Sequence, residues 1–110
     1  MASEKNYEKL DTIIRQKSLL KFRQRTRDEK HEYFKFMTSL NYALDSLSYE
    51  YKRIMNHTYF ERDYKFWWID EYCKSSFYRK RDKAVASFVH MFELVYENFY
   101  HFSNNLRGHF

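Results

Sequence analysis

The sequence predicts an all-α domain of about five helices ending in a long one, and three observations carry that expectation. Proline is absent and glycine occurs once, at Gly108, so the chain lacks the Asn-Gly and Asp-Gly pairs on which tight hairpins draw. Apolar residues recur at intervals of three and four through most of the chain. Aromatic residues make up 22% of 110 residues, which supplies burial area and argues against disorder. The length fits one domain, residues 1–110.

The first helix is expected after Ser3 as N-cap and to run to about Arg23, with Leu10, Ile13, Ile14, Leu20 and Phe22 as its apolar stripe. "TRDE" at 26–29 reads as a capping box, Thr26 as cap and Glu29 reaching back. The second helix then carries Tyr33, Phe36, Met37, Leu40, Leu44 and Leu47 at helical spacing. Ser48 caps a third, shorter segment whose inner face is Tyr51, Ile54, Met55 and Thr58, ending at the break "ERD", 61–63. "YKFWWIDEY" at 64–72 reads as a very short helix capped by Asp63, with adjacent Trp67 and Trp68 divided between core and surface. After a second break at "CKS", Ser75 or Ser76 caps the last helix. Its inner face reads Phe77, Ala84, Phe88, Met91, Val95, Phe99 and Phe102, interrupted by Arg81, and the tail from Asn104 is expected to fray.

Charge is unevenly distributed. Arg15, Lys17, Lys21, Arg23, Arg25 and Arg27 give residues 15–27 a charge of +6. Lys74, Arg79, Lys80, Arg81 and Lys83 against Asp82 give residues 74–83 a charge of +4. The whole chain carries +5, so the remainder carries −5. Basic charge concentrated in this way suits a polyanion, although solvated helix faces hold such charge too.

The order of features from Leu47 to Phe88 is that of a helix-turn-helix at about 48–92: a support segment, a break, and a capped helix whose first turns are basic. Serine hydroxyls and the N–H groups of a helix start can hold phosphate, arginine can pair with guanine edges, and lysine can meet phosphate as a point charge. The expected DNA face is Lys74, Ser75, Ser76, Tyr78, Arg79, Lys80 and Lys83. The cluster Arg15, Lys17, Lys21, Arg23, Arg25 and Arg27 would be a second backbone contact or a partner-docking surface.

At these residues the chain resembles the ArpU-type phage transcriptional regulators, which are themselves similar to region 4 of sigma factors. "CKSSFYRKRDKAVASF" resembles their recognition-helix segment, and Leu47, Tyr51, Lys52, Ile54, Tyr59 and Phe60 match their support segment in order and spacing. The resemblance covers about residues 47–92. It implies a sequence-specific transcriptional regulator encoded by a phage or mobile element, with double-stranded DNA as ligand and RNA polymerase or another host protein as a further partner. Cys73 stands where serine is common, Trp67 and Trp68 lie near where a small residue lets the helices cross closely, and no glycine occupies the turn. These departures leave open a wider crossing or a domain that no longer binds DNA. The alternative is a helical interaction module that binds a host protein through its aromatic surface.

Other classes have little support. No nucleophile–base–orienter set and no phosphate-cradling glycine loop can be read, so no enzyme activity is expected. The five histidines and the single Cys73 lack metal-ligand spacing, and no cofactor is expected. A single cysteine fits a reducing compartment, the charged start "MASEKNYEKL" reads as no signal peptide, and no apolar run reaches membrane length. A cytoplasmic protein is therefore expected. The long stripe at 88–102 leaves room for a homodimer.

Overall fold

The computed structural model describes residues 4–61 and 63–108, with side chains as far as residue 96. The fold is all-α. Among the described residues four α-helices are formed rather than five: α1 (Glu4–Phe22), α2 (Arg27–Asp45), α3 (Tyr49–Met55) and α4 (Lys74–Gly108), with a π-helical turn at Asn56–Phe60. The Ser3 cap lies outside the described residues.

Two of the expected caps form as read. Thr26 Oγ1 accepts the Glu29 N–H at 3.1 Å while Glu29 Oε1 accepts the Thr26 N–H at 2.9 Å, closing the box that starts α2. Ser48 Oγ accepts the Tyr51 N–H at 3.2 Å and starts α3.

Helix α2 runs antiparallel to α4, and α1 packs against both. Tyr7 meets Asp82 and Lys9 meets Glu93, whereas Glu32 meets Tyr96 and Phe36 meets Phe92. At 35 residues α4 is about 52 Å long by its rise, and it forms the spine of a molecule 55 Å in its longest dimension. The core draws Leu10 and Ile13 from α1, and Phe36, Leu40, Ala43 and Leu44 from α2. Ile54 and Met55 of α3 join them, with Phe77, Ala84, Val85, Phe88, Val89 and Phe92 of α4.

The corrections follow from where neighbours lie. Phe22 is 79% exposed, because it is the last residue of α1 and leads into the loop to α2. In α4 the buried face also takes in Val85, Val89 and Phe92, since helices pack on both sides of it. The side chains of Phe99 and Phe102 lie outside the described residues, and the helix continues through the expected fraying point to Gly108.

The last connection departs furthest from expectation. Residues 64–72 are consecutive turns and not a helix: Trp67 N–H bonds to Tyr64 O, Ile69 to Phe66 and Glu71 to Trp68, all of the i to i+3 kind. Asp63 does not cap a helix; its Oδ1 accepts the adjacent Tyr64 N–H at 2.7 Å and its other oxygen meets the His57 ring at 2.9 Å. Helix α4 begins one residue before the expected serine caps. The Cys73 carbonyl accepts the Phe77 N–H at 2.9 Å, so Cys73 holds the capping position and Ser75 and Ser76 lie in the first turn.

Candidate nucleic-acid interface

Phe77 anchors the start of α4. It is 2% exposed and stacks flat on Trp68, ring centroids 4.4 Å apart and planes 7° apart, with Trp67 edge-on at 5.7 Å. Trp68 is buried and Trp67 half-buried, the division expected for the pair. Trp67 is held on three sides: its Nε1–H donates to Thr58 Oγ1 at 3.3 Å, the His57 ring lies 4.9 Å away, and the Arg53 guanidinium covers it at 5.1 Å. Phe88, fully buried, packs on Phe60 of the π-helical turn at 5.4 Å. An extra residue in that turn thus delivers an aromatic ring to the core.

Ion pairs tie the turn segment to its neighbours. Arg53 of α3 forms a two-pronged pair with Glu71, and Lys80 of α4 meets Glu50 of α3 at 3.2 Å while Tyr72 Oη donates to the same carboxylate at 3.0 Å. The Lys80 ammonium, followed by the Tyr72 hydroxyl, holds the Glu50 carboxyl below the usual range, and Arg53 does the same for Glu71. Between these pairs lies an open cavity of about 540 Å³ bordered by Tyr49, Ser76 and Cys73. The Ser76 backbone N–H and the Ser75 hydroxyl, 3.7 Å from Sγ, lower the Cys73 thiol from its ordinary value.

Of the expected DNA face, Lys74, Ser75, Tyr78, Arg79 and Lys83 are exposed, and Ser76 is half-buried. Ser75, Arg79 and Lys83 are four residues apart and share one outward stripe. Lys80 is turned aside from that stripe into its pair with Glu50 and lies over the Tyr72 ring at 5.1 Å. Arg81, at the position that interrupts the apolar face, is half-buried: its Nε–H donates to Tyr7 Oη at 3.2 Å and its guanidinium covers Tyr78 at 4.7 Å. Tyr7 Oη in turn donates to Asp82.

The other basic cluster is built differently. Lys21, Arg23, Arg25 and Arg27 are exposed around the α1–α2 loop, Arg15 pairs with Asp11 at 2.9 Å, and Lys17 leans over Phe60 at 5.6 Å. Tyr7 touches the first turns of α4, and Phe22, the last residue of α1 before the loop, lies fifteen residues further along, so roughly 22 Å of helix separates that contact from the loop cluster.

Sequence reading missed the Arg53–Glu71 and Lys80–Glu50 ties and the Tyr7–Asp82 contact. Their partners lie 18, 30 and 75 residues apart, and no local pattern pairs them. It also gave no role to Tyr64, Lys65 and Phe66, which stand exposed beside the start of α4. Among the described residues no group of three or more His, Cys, Asp or Glu could hold a metal ion, and no helix is long and apolar enough to cross a membrane. Comparison with protein-family models, with curated proteins and with solved structures finds no match.

Proposed function

We propose that this protein binds double-stranded DNA through the first turns of α4 and acts as a sequence-specific transcriptional regulator of the phage or mobile-element kind that residues 47–92 resemble. The observation that carries the reading is the division of one short stretch. Phe77 is sealed against Trp68, while Ser75, Arg79 and Lys83 stand together on the opposite, exposed side. A helix anchored by one face and basic on the other can enter a major groove with its first turns leading. The run of turns at 64–72 stands where a regular helix-turn-helix has its short turn, between the support segment of α3 and the first turns of α4. In this reading the Arg53–Glu71 and Lys80–Glu50 pairs brace α4 in place of a close helix crossing. Lys80 is then a brace first and a phosphate contact second.

Arg79 is assigned to a base edge and Lys83 to phosphate. Arg79→Ala is expected to cost about 1–3 kcal/mol and relax preference at one base position, whereas Lys83→Ala weakens all sequences alike and more so at low salt. Titrations of both variants on DNA from the protein's own gene neighbourhood and on scrambled duplex measure this, with circular dichroism reporting the fold. If both variants fold and neither changes affinity, the stripe is solvated surface and the reading as a protein-interaction module replaces this one.

A further inference from the structure

Beside the proposed duplex face lies a second concavity, of about 380 Å³, whose walls are mostly aromatic: Tyr64, Phe66, Trp67, Trp68, Phe77 and Tyr78. Its floor is fixed, because Trp68 is clamped on Phe77 and Trp67 is held by Thr58, His57 and Arg53. Its rim is not covered: Tyr64 is 69% exposed and Phe66 40%, with Ile69 also exposed on the same run of turns. Exposed rings on a fixed floor are a costly arrangement for a face that meets only water.

The charges around the rim select the occupant. The Lys65 ammonium sits 5.5 Å from the Phe66 ring centre, and Lys74 lies 5.9 Å and Arg81 4.7 Å from that of Tyr78. The one carboxylate in the lining, Asp63, is engaged by the Tyr64 N–H and the His57 ring, which hold it below the usual range. Glu61, Asp70 and Glu71 do not line the cavity. Aromatic faces interleaved with cations match a chain of flat bases joined by phosphates: the rings stack on the bases and the cations follow the backbone. An apolar peptide would satisfy the rings and leave the cations unused.

We infer that this cavity is a stacking site for single-stranded DNA, with a base against Tyr64 and Phe66 over the tryptophan floor and the flanking phosphates on Lys65 and Lys74. This goes beyond the duplex reading and stands or falls separately from it. The site is tolerant of sequence, since every base offers a π-face.

The test titrates the full chain with oligothymidylate, with an abasic oligonucleotide of the same length and with a blunt duplex, reading the emission of its two tryptophans. Oligothymidylate is expected to quench that emission, and the abasic strand, which offers phosphates alone, is not. The double variant Tyr64→Ala, Phe66→Ala changes only exposed side chains. It is expected to weaken oligothymidylate binding by roughly five- to a hundred-fold and to leave duplex affinity unchanged. Equal quenching by the abasic strand overturns the proposal, as does a folded double variant that binds oligothymidylate like the parent. Absence of quenching by any oligonucleotide also overturns it and reassigns the patch to a protein partner. Loss of duplex binding in Arg79→Ala with quenching retained supports both readings. Quenching by oligothymidylate with no duplex binding by the parent upholds this site and removes the proposed function.

Discussion

The cations at 15–27 and those at 74–83 are similar in number and differ in what positions them. Around the α1–α2 loop, Lys21, Arg23, Arg25 and Arg27 project into solvent, and the nearby Phe22 is 79% exposed. At the start of α4, Lys74 and Arg81 lie over Tyr78, Lys80 lies over Tyr72 and pairs with Glu50, and Phe77 beneath them is sealed on Trp68. A long side chain that rests on a ring gives up rotamer freedom at folding and so gives up less at binding. Charge density suits both regions to a polyanion, but the second holds Lys74, Lys80 and Arg81 over rings, whereas in the first Lys17, over Phe60, is the one so held among the described contacts. Under the proposed function, direct base recognition is therefore assigned to α4 and sequence-independent attraction to the loop.

The largest effect expected from this contrast is on stability. Phe77→Ala removes the ring on which Trp68 stacks and is expected to cost about 3–5 kcal/mol, whereas Phe22→Ala, at the exposed end of α1, should stay within about 0.5 kcal/mol. Chemical denaturation of the two variants measures the difference. Equal losses would mean that the loop cluster rests on a packed framework too.

The contrast also divides what was legible in the sequence from what was not. Thr26 with Glu29 and Ser48 were readable because a cap is a local event, made within three residues. The stripe Phe36, Leu40, Leu44 was readable because periodicity alone defines a face. The turns at 64–72 were not, since Trp67 and Trp68 have ordinary helix propensity and their conformation is set from outside. Arg53 pulls on Glu71, and Phe77 takes the face of Trp68. The start of α4 was misplaced by two or three residues because serine is the better cap in isolation, while the Cys73 carbonyl is the one that reaches Phe77. The candidate basic residues were nameable from sequence; that Lys80 is turned into a brace was not, because Glu50 lies thirty residues away.

A smaller effect is expected from neutralising the loop. Lys21→Gln with Arg25→Gln removes two exposed cations that touch no ring, so affinity should fall to a similar degree on every DNA sequence. The slope of log affinity against log salt should become shallower by about 0.9 for each phosphate that the variant no longer neutralises. Salt titrations on cognate and scrambled duplex decide the matter. A weakening confined to one sequence would give the loop a reading role and erase the contrast.

The Tyr7–Asp82 contact ties α1 to the start of α4 and has its own pH signature. Burial first, and then the hydrogen bond to Asp82, push the Tyr7 hydroxyl from 10.0 up to about 12. A raised folded value favours the neutral phenol in the native state. Its contribution is therefore complete below pH 10 and is lost as pH rises toward about 12. Alkaline denaturation midpoints should fall across that window in the parent, and Tyr7→Phe, which cannot ionise, should flatten the fall. An identical alkaline limb in the variant would place the sensitivity elsewhere.

The smallest effect expected is an acid loosening of the turns at 64–72. Arg53 lowers the Glu71 carboxyl, Lys80 and then Tyr72 lower Glu50, and the Tyr64 N–H and then His57 lower Asp63. Lowered folded values mean that these carboxylates stabilise the fold above the ordinary value of 4.5 for glutamate and 3.8 for aspartate. That contribution is lost as pH falls through the folded values. All three pairs keep about a third or more of their side-chain surface in solvent, so each contributes little, and the bundle core of Phe36, Val85 and Phe88 does not titrate. Two tryptophans sit inside the affected segment and none elsewhere, so their emission reports it separately from the helices. Emission should begin to change at a higher pH than far-ultraviolet circular dichroism, and Glu71→Gln should remove part of that early change. If emission and helicity instead fall together in both proteins, the turns have no stability of their own to lose. The framework under the α4 cluster would then be held by Phe77 and Trp68 stacking, with the ion pairs adding nothing measurable.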